Sequence, residues 1–221
     1  TETIPAHVWK GLAEMGLFAI KIPTKYNGLG MSQTNYMRIL STVARHCGST
    51  TATLSAHQSI GAPQPLKLMG TPEQKEKYLP KLSSGEYIGC FALTEPNAGS
   101  DVLAATTKAE LSDDKKHYIL NGQKIYITNG SWAQSCVVFA KVNGKMTAFI
   151  VDKECEGWVS GAEEKKLGIN GSSTVTMYFE DCKVPIDNVL GKVGQGGHIA
   201  LNCLYAGRWK LGFSSSAGCM S

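Results

Sequence analysis

The sequence predicts an α+β protein, in which a helical N-terminal region is followed by an antiparallel β-barrel or sandwich and then by further helix. Apolar residues recur at helical spacing up to about residue 85, alternate from Tyr87 onwards, and return to helical spacing after Gly197. This order of helices, strands and helices differs from the βαβ alternation that indicates a parallel, doubly wound sheet.

Two apolar stripes and two capping signals predict the N-terminal helices. The stripes are Val8, Leu12, Met15 and Ala19, and then Tyr36, Ile39, Leu40, Val43 and Cys47. Ser32 precedes the second stripe and is a predicted N-cap. Thr71, Pro72 and Gln74 combine an N-cap, a proline at the first helical position and a capping-box partner. That helix should run to about Leu82.

Two Asn-Gly pairs predict β-hairpins with type I′ turns. Asn121-Gly122 separates residues 118–120 from 124–128, and Asn143-Gly144 separates residues 137–142 from 146–151. A third alternating run, residues 175–184, ends at Pro185. The middle hundred or so residues should therefore form the β-structure.

Four glycines precede the last predicted helix, whose stripe is Ile199, Asn202, Cys203 and Ala206. The glycines are Gly191, Gly194, Gly196 and Gly197. They do not have G-x-G-x-x-G spacing and they follow an antiparallel strand. A loop that turns into a helix is therefore favoured over a dinucleotide-binding loop.

Composition excludes several classes of function. Of the 221 residues 43% are hydrophobic and 18% charged, and the net charge of +4 is spread over scattered lysines, which argues against a nucleic-acid groove. The seven cysteines have no C-x-x-C spacing, which argues against a zinc site or a disulfide framework and for a reducing compartment. No apolar run approaches the roughly 20 residues that cross a bilayer.

Two segments carry residue types suited to a flat heterocycle. In residues 91–101 a strand runs into Glu95-Pro96 and small residues, so backbone N–H groups and the hydroxyls of Thr94 and Ser100 should be accessible. In residues 126–130, Tyr126 and Thr128 should share one strand face while Ile127 points away. Taken singly, the first segment is more often an ordinary strand-to-loop corner, and the second an ordinary packed pair.

Together the segments resemble the paired signatures of the acyl-CoA dehydrogenases. These are Thr94-Glu95-Pro96-Asn97-Ala98-Gly99-Ser100-Asp101 and Tyr126-Ile127-Thr128-Asn129-Gly130. Further matches extend along essentially the whole chain, for example residues 73–80, 166–169 and 188–191. Residues 56–61 and 113–118 look most like the very-long-chain branch, which includes a relative that assists assembly of respiratory complex I.

The resemblance implies a helical domain at residues 1–86, a middle β-domain at 87–187 and the beginning of a C-terminal helical bundle at 188–221. It implies FAD at their junction and oxidation of acyl-CoA thioesters to trans-2-enoyl-CoA, as in fatty-acid β-oxidation. The implied cofactor-binding residues are Phe91, Leu93, Thr94, Gly99, Ser100, Tyr126, Ile127 and Thr128. Thr94 and Thr128 would bond the polar edge of the flavin and Tyr126 would pack on the ring. Ser100 and Arg208 would face the substrate.

One departure from the family concerns the catalytic base. The family uses a glutamate in the C-terminal bundle or, in two branches, immediately before the helix arginine. Gly207 occupies that second position and cannot remove a proton. We expect the chain, which stops at Ser221, to be a fragment that lacks most of the C-terminal domain and is inactive alone. No residue is therefore assigned as catalytic.

A second departure concerns the length of the acyl group. Ser49, Thr51 and Ser55 stand where very-long-chain relatives tend to have glycine in the helix below the acyl pocket. Larger side chains there would shorten the pocket. His57 follows closely, and we expect a packed helix histidine rather than an acid.

The resemblance also implies partners and compartments. An electron-transfer flavoprotein would accept the electrons, and the full-length protein would be a homo-oligomer. The compartment would be the mitochondrial matrix or inner-membrane face in a eukaryote and the cytoplasm in a bacterium. The alternative function is that of a complex I assembly factor on the same scaffold, which rests on branch resemblance alone.

Overall fold

The computed structural model describes residues 3–218, and its order of elements matches the predicted one. The α-helices are Ala6–Glu14 (α1), Gln33–Ala44 (α2), Gly48–Ser55 (α3), Pro63–Met69 (α4), Pro72–Ser84 (α5) and Gly196–Gly218 (α6). The strands are Gly89–Ala92 (β1), Lys108–Leu111 (β2), His117–Thr128 (β3), Ser135–Val142 (β4), Lys145–Asp152 (β5), Trp158–Glu163 (β6), Thr174–Pro185 (β7) and Val189–Leu190 (β8). A π-helical segment, Ala56–Ile60, continues α3.

The predicted capping signals are confirmed. Ser32 Oγ accepts a hydrogen bond from the Asn35 N–H at the start of α2. Thr71 and Gln74 form a reciprocal capping box at the start of α5. A capping box satisfies two backbone N–H groups that would otherwise lack partners, so the motif fixes the residue at which the helix begins.

Both predicted stripes extend beyond the helices that form. Because α1 ends at Glu14, Met15 is 64% exposed, and Ala19 is buried only after the chain has turned. Because α2 ends at Ala44, Cys47 lies outside it and accepts through Sγ from the Thr50 N–H at the start of α3.

One of the two predicted hairpins forms as expected. The strands β4 and β5 pair antiparallel from Ser135↔Asp152 to Val142↔Lys145. Asn143 and Gly144 connect them with φ of 49° and 77°. Positive φ at both central residues is the requirement of a type I′ turn, so the Asn-Gly signal is confirmed here.

The hairpin predicted at Asn121-Gly122 is wrong. Both residues lie inside the continuous strand β3, and the register with β7 shifts between Leu120 and Gly122. A Cβ atom at Gly122 would lie 2.4 Å from Thr107 Oγ1, so the glycine allows close approach within the sheet instead of a turn. The connection from β2 to β3 turns at residues 112–116.

The sheet is mixed rather than purely antiparallel. Its strands follow the order β6-β7-β3-β2-β4-β5-β8, and β1 also pairs with β4. The pairs β1–β4 and β2–β4 are parallel and the other pairs are antiparallel. The strand β8 pairs with β5, so Val189 and Leu190 belong to the sheet.

Both faces of β4 are buried, which explains why its residues are almost all apolar. Val137 and Phe139 pack in one hydrophobic cluster with residues of α4, α5 and α6, such as Leu66, Leu79 and Ile199. Cys136, Val138 and Ala140 face a second cluster inside the β-structure. The sheet is therefore packed between its own interior and the helices.

Candidate binding cleft

A cleft of about 130 Å³ lies where β1 and β3 meet the π-helical segment and α6. Its lining residues are Ala56, Ile60, Phe91, Leu93, Thr94, Tyr126, Ile127, Thr128 and Leu204. Larger depressions occur elsewhere, including one of about 740 Å³ between α5 and the chain around residues 185–191. The small cleft is the place where the two segments singled out in the sequence come together.

The sheet side of the cleft contains six of the eight residues predicted to bind the cofactor. Thr94 follows β1, and its carbonyl accepts from the Ile125 N–H at 2.9 Å, which joins this segment to β3. Gly99 and Ser100 are exposed and do not line the cleft. The cofactor contacts suggested for those two residues therefore remain predictions.

Tyr126 does not have the regular strand geometry that was expected. Its φ is 57°, and the pairing of β3 with β7 shifts register between Lys124 and Ile127. Ile127 is 2% exposed and packs in the core, whereas Tyr126 is 63% exposed at the edge of the cleft. A bulge is a common means of re-aiming a side chain next to a functional site.

A buried ion pair beneath the sheet side was not anticipated from the sequence. Lys124 Nζ donates to Glu95 Oε1 at 2.7 Å and to the Leu93 carbonyl at 3.3 Å. Glu95 also accepts from the backbone N–H and hydroxyl groups of both Thr106 and Thr107.

The environment of Glu95 stabilises its ionised form. Burial alone would raise the pKa of this carboxyl, but the Lys124 ammonium and the four other donors outweigh it and hold the pKa well below its usual range. The burial of Lys124 among the mostly half-buried and exposed residues of β3 has no signal in the sequence. A partner 29 residues away gave no local pattern to match it.

The helix side of the cleft is apolar and is supported by a buried histidine. Ala56, Ile60 and Leu204 form this side. His57 is fully buried, with Nδ1 accepting from the Gly89 N–H at 3.0 Å and Nε2 donating to the Leu82 carbonyl at 3.1 Å.

These two hydrogen bonds require the neutral tautomer of His57 with its proton on Nε2. Burial lowers its pKa to about 4. The expectation that His57 is a packed histidine is therefore confirmed by its surroundings.

A second buried cation lies between the helices and was also missed. Lys210 on α6 is 5% exposed, and Nζ donates to the hydroxyls of Ser55 and Ser59. Burial, together with the nearby charge of Lys21, lowers the pKa of Lys210 to about 7. Its partners lie more than 150 residues away, so no spacing in the sequence could reveal them.

The neighbouring residues Gly207 and Arg208 lie in different environments, one buried and one exposed. Arg208 is exposed, and its guanidinium lies 5.9 Å from the ring centroid of Tyr205. It does not line the cleft, so the substrate contact suggested for it remains a prediction. Gly207 is buried against the π-helical segment, and a Cβ atom there would lie 3.2 Å from Ile60 Cγ2.

The three residues expected to floor a pocket occupy different positions. Thr51 and Ser55 are buried, and the Thr51 hydroxyl donates to the Cys47 carbonyl at 2.8 Å. Ser55 contacts Lys210, whereas Ser49 is only half-buried. Of the three, Ser55 is therefore the one that contacts the buried cation.

Two further classes of site find no support in the described part of the chain. Residues 3–218 bring together no group of three or more His, Cys, Asp or Glu side chains suited to a metal ion. None of the helices in that range combines the length and hydrophobicity of a membrane span.

Comparisons with known proteins agree with this architecture. A family model described as the acyl-CoA dehydrogenase N-terminal domain matches residues 1–86, and one described as the acyl-CoA dehydrogenase middle domain matches residues 90–182. The crystal structure of an acyl-CoA dehydrogenase complexed with FAD from Bacillus anthracis superposes with a TM-score of 0.92 at 42% identity. The match covers 96% of this chain and 36% of that one.

Curated relatives are similar along nearly all of the chain. The mitochondrial very long-chain specific acyl-CoA dehydrogenase of Rattus norvegicus is 43% identical over 220 residues, which cover 95% of this chain and 33% of that protein. A probable acyl-CoA dehydrogenase of Bacillus subtilis is 46% identical over 203 residues, which cover 91% and 34%. The chain spans about a third of the length of the curated relatives it matches.

Proposed function

Because the chain belongs to the acyl-CoA dehydrogenase family, we propose that the full-length protein binds FAD and oxidises acyl-CoA thioesters to trans-2-enoyl-CoA. The observation that supports this most directly is the single cleft in which Thr94, Tyr126 and Thr128 meet. These residues come from the two segments whose chemistry suits a flat ring.

The residues present fit a flavin. Thr94 and Thr128 are half-buried, and their hydroxyls make no hydrogen bond to any residue within 3–218, so both are available to the polar edge of the ring. Phe91, Leu93 and Ile127 give the sheet side an apolar surface. The exposed ring of Tyr126 leaves the edge of the cleft open, so a group larger than the cleft itself can extend outwards.

The roles of the chain's own residues follow from this arrangement. Thr94 and Thr128 donate hydrogen bonds that orient the ring, and Tyr126 packs against it and shields it from water. The ion pair beneath them, Glu95 with Lys124, holds both segments in place. When bound, FAD supplies the acceptor for the hydride that leaves the β-carbon of the acyl group.

The chain supplies no residue that we assign as the base. A carboxylate must remove the weakly acidic α-proton of the thioester, and hydrogen bonds must stabilise the developing oxyanion. The residues that line the cleft include no carboxylate. The proposed substrate contacts of Ser100 and Arg208 would lie outside the present lining of the cleft.

We further infer the partners and the division of the chain. An electron-transfer flavoprotein would reoxidise the cofactor, and the protein would act as a homo-oligomer in mitochondria or in the bacterial cytoplasm. The helical domain would comprise residues 1–86. The β-domain, predicted to span 87–187, would extend to residue 190 because β8 pairs with β5, and the C-terminal domain would begin after it rather than at 188. Relatives from both rat mitochondria and Bacillus subtilis leave both compartments open.

The proposal is tested by the colour of the purified full-length protein. We expect flavin absorbance that is bleached by acyl-CoA under anaerobic conditions, with turnover restored by an electron acceptor. Thr94→Val with Thr128→Val should weaken FAD binding, whereas Thr174→Val, a half-buried threonine outside the cleft, should not. Absence of bleaching by short, medium and long acyl-CoA would refute the assigned activity.

A further inference from the structure

A buried polar group, formed by Lys210, Ser55 and Ser59, lies between α6 and the end of α3 with its π-helical continuation, next to the residues of the helix side of the cleft. This inference rests on the proposed function, which places the flavin ring on the sheet side. The acyl group must then lie against the opposite side, where Ala56, Ile60 and Leu204 offer an apolar surface. How long that group can be depends on what lies beyond those three residues between the π-helical segment and α6.

The two helical segments are in close contact just beyond the cleft. A Cβ atom at Gly207 would lie 3.2 Å from Ile60 Cγ2, so the Ile60 side chain packs closely against the glycine. Gly207 lies three residues after Leu204, which is about one helical turn. A chain of methylene groups leaving the cleft in this direction must therefore pass Gly207 and Ile60.

Lys210 occupies the next turn of the same helix face. Side chains of an α-helix lean towards its N-terminus, so the lysine stem points back towards Gly207. Its ammonium ends between Ser55 and Ser59, one residue before each of the cleft residues Ala56 and Ile60. Ser59 in turn donates to the Ser55 carbonyl at 2.6 Å, which fixes this small polar group.

Displacement of the Lys210 side chain is costly because Nζ would lose its hydrogen bonds to Ser55 and Ser59. Lys210 is absent from the ion pairs within residues 3–218, and the charge that affects its pKa is that of Lys21. A hydrocarbon tail inserted here would separate the ammonium from its two hydroxyl acceptors. Buried polar atoms that lose their hydrogen-bond partners destabilise the complex, whichever protonation state the amine has.

We propose that Lys210, held by Ser55 and Ser59, closes the inner end of the cleft and limits the acyl group to short and medium chain lengths. The specificity would then differ from the one named for the very long-chain relatives. The side chain acts as a plug, so the volume that it fills determines how far an acyl group can reach.

The test compares two variants of the purified flavoprotein with hexanoyl-CoA and palmitoyl-CoA. Lys210→Ala removes the plug, and we expect the ratio of kcat/KM for palmitoyl-CoA to that for hexanoyl-CoA to rise by about tenfold or more. Lys210→Met keeps a side chain of similar length and should leave the ratio within about twofold of the parent. Lys192→Ala removes an exposed lysine that lies outside the cleft and serves as the matched control.

Equilibrium binding gives a second readout that does not require turnover. The dissociation constant for palmitoyl-CoA should fall in Lys210→Ala while that for hexanoyl-CoA changes little. If truncation to alanine prevents folding, Lys210→Val provides a smaller truncation with the same expected direction.

The possible outcomes separate the two proposals. Failure of every acyl-CoA to bleach the flavin in the parent protein would contradict the proposed function. If acyl-CoA bleaches the flavin of the parent protein but Lys210→Ala has the same palmitoyl-to-hexanoyl ratio of kcat/KM as the parent, the proposed role of Lys210 is wrong. The proposed function would still stand. An equal shift in Lys210→Met and Lys210→Ala would also overturn it, because filling of the space would then have no effect.

Discussion

Lys124 Nζ lies 2.7 Å from Glu95 Oε1, and both side chains are almost completely buried beneath the candidate cleft. The pair connects the residue after Thr94 with the residue two before Tyr126. It therefore joins the two segments that form the sheet side of the cleft. A buried pair contributes little net stability over an apolar pair, but loss of one partner leaves an uncompensated charge.

Removal of one partner should destabilise the protein strongly. Lys124→Met leaves the Glu95 carboxylate buried with neutral donors only, and we expect a loss of about 3–5 kcal/mol in the free energy of unfolding. Chemical denaturation of the parent and the variant measures this loss directly. Because both cleft segments are held by the pair, FAD affinity should fall as well.

A double variant distinguishes pairing from packing. Glu95→Gln with Lys124→Met removes both charges, so it should be less destabilised than the sum of the two single variants by at least about 1 kcal/mol. The Lys77→Met variant, which removes one partner of the more exposed pair with Asp152, should change stability by no more than about 1 kcal/mol. Additive effects of the two buried substitutions would show that the pair is not coupled.

Substitution of Tyr126 should lower FAD affinity without lowering stability. Its φ of 57° is strained for a residue with a Cβ atom, whereas glycine adopts this conformation readily. Tyr126→Gly should therefore leave the melting temperature unchanged or raise it, while FAD affinity falls about tenfold through loss of the aromatic surface. Fluorescence titration of the apoprotein with FAD measures the affinity.

Two controls make the Tyr126 experiment specific. Tyr126→Trp retains an aromatic ring and should keep FAD affinity within about threefold of the parent. Tyr178→Ala removes an exposed tyrosine of β7 that does not line the cleft, so FAD affinity should not change. If Tyr126→Gly binds FAD as tightly as the parent, the ring does not pack on the flavin.

The two Asn-Gly pairs show how far local signals determine this fold. At Asn143-Gly144 the flanking strands pair with one another up to Val142↔Lys145, directly beside the turn, and the local preference decides the outcome. At Asn121-Gly122 the same dipeptide lies where β3 pairs with β7, and these long-range contacts override it. Capping boxes and tight turns were therefore predictable, whereas the register of a long strand in the sheet was not.

The residues of the candidate site also differ in whether local sequence signals predict them. Thr94, Tyr126 and Thr128 could be found because their short motifs carry recognisable chemistry. Lys124 and Lys210 could not, because each becomes meaningful only through a partner distant in the chain. Burial of a lysine is a property of the assembled structure, and composition gives no sign of it.

His57 should make stability decrease in mild acid. Its pKa in the folded protein is lowered to about 4, below the value of an unfolded histidine, so between about pH 6.5 and pH 4 the unfolded chain binds the extra proton. Stability should therefore be fully present above about pH 6.5 and fall by up to about 3 kcal/mol as the pH drops to 4. Glu95 adds its own loss only below about pH 4.5, because its pKa is also lowered.

Substitution of His57 should flatten that dependence. His57→Asn retains an acceptor near Nδ1 but loses the donor to the Leu82 carbonyl, so we expect a loss of about 1–3 kcal/mol at pH 7.5. Its free energy of unfolding should then change less than that of the parent between pH 6.5 and 4.5. The exposed His198 provides the control, and a parallel pH curve for His57→Asn would contradict the assignment.

Lys210 should produce a pH dependence of its own, in the alkaline range. Its pKa is lowered to about 7 in the folded protein, whereas the unfolded side chain titrates near its ordinary value of 10.5. Between these limits the unfolded state holds more protons, so stability rises with pH, and the cost of burying the cation is fully present below about pH 7. Lys21 faces the same region, and its pKa is lowered by burial to about 8, so it contributes with the same sign.

Lys210→Met removes the charge, and its stability relative to the parent should be about 2–3 kcal/mol more favourable at pH 6.5 than at pH 9.5. Urea denaturation at the two pH values measures this difference, and an equal relative stability at both would show that the ammonium is not held in a low-dielectric site.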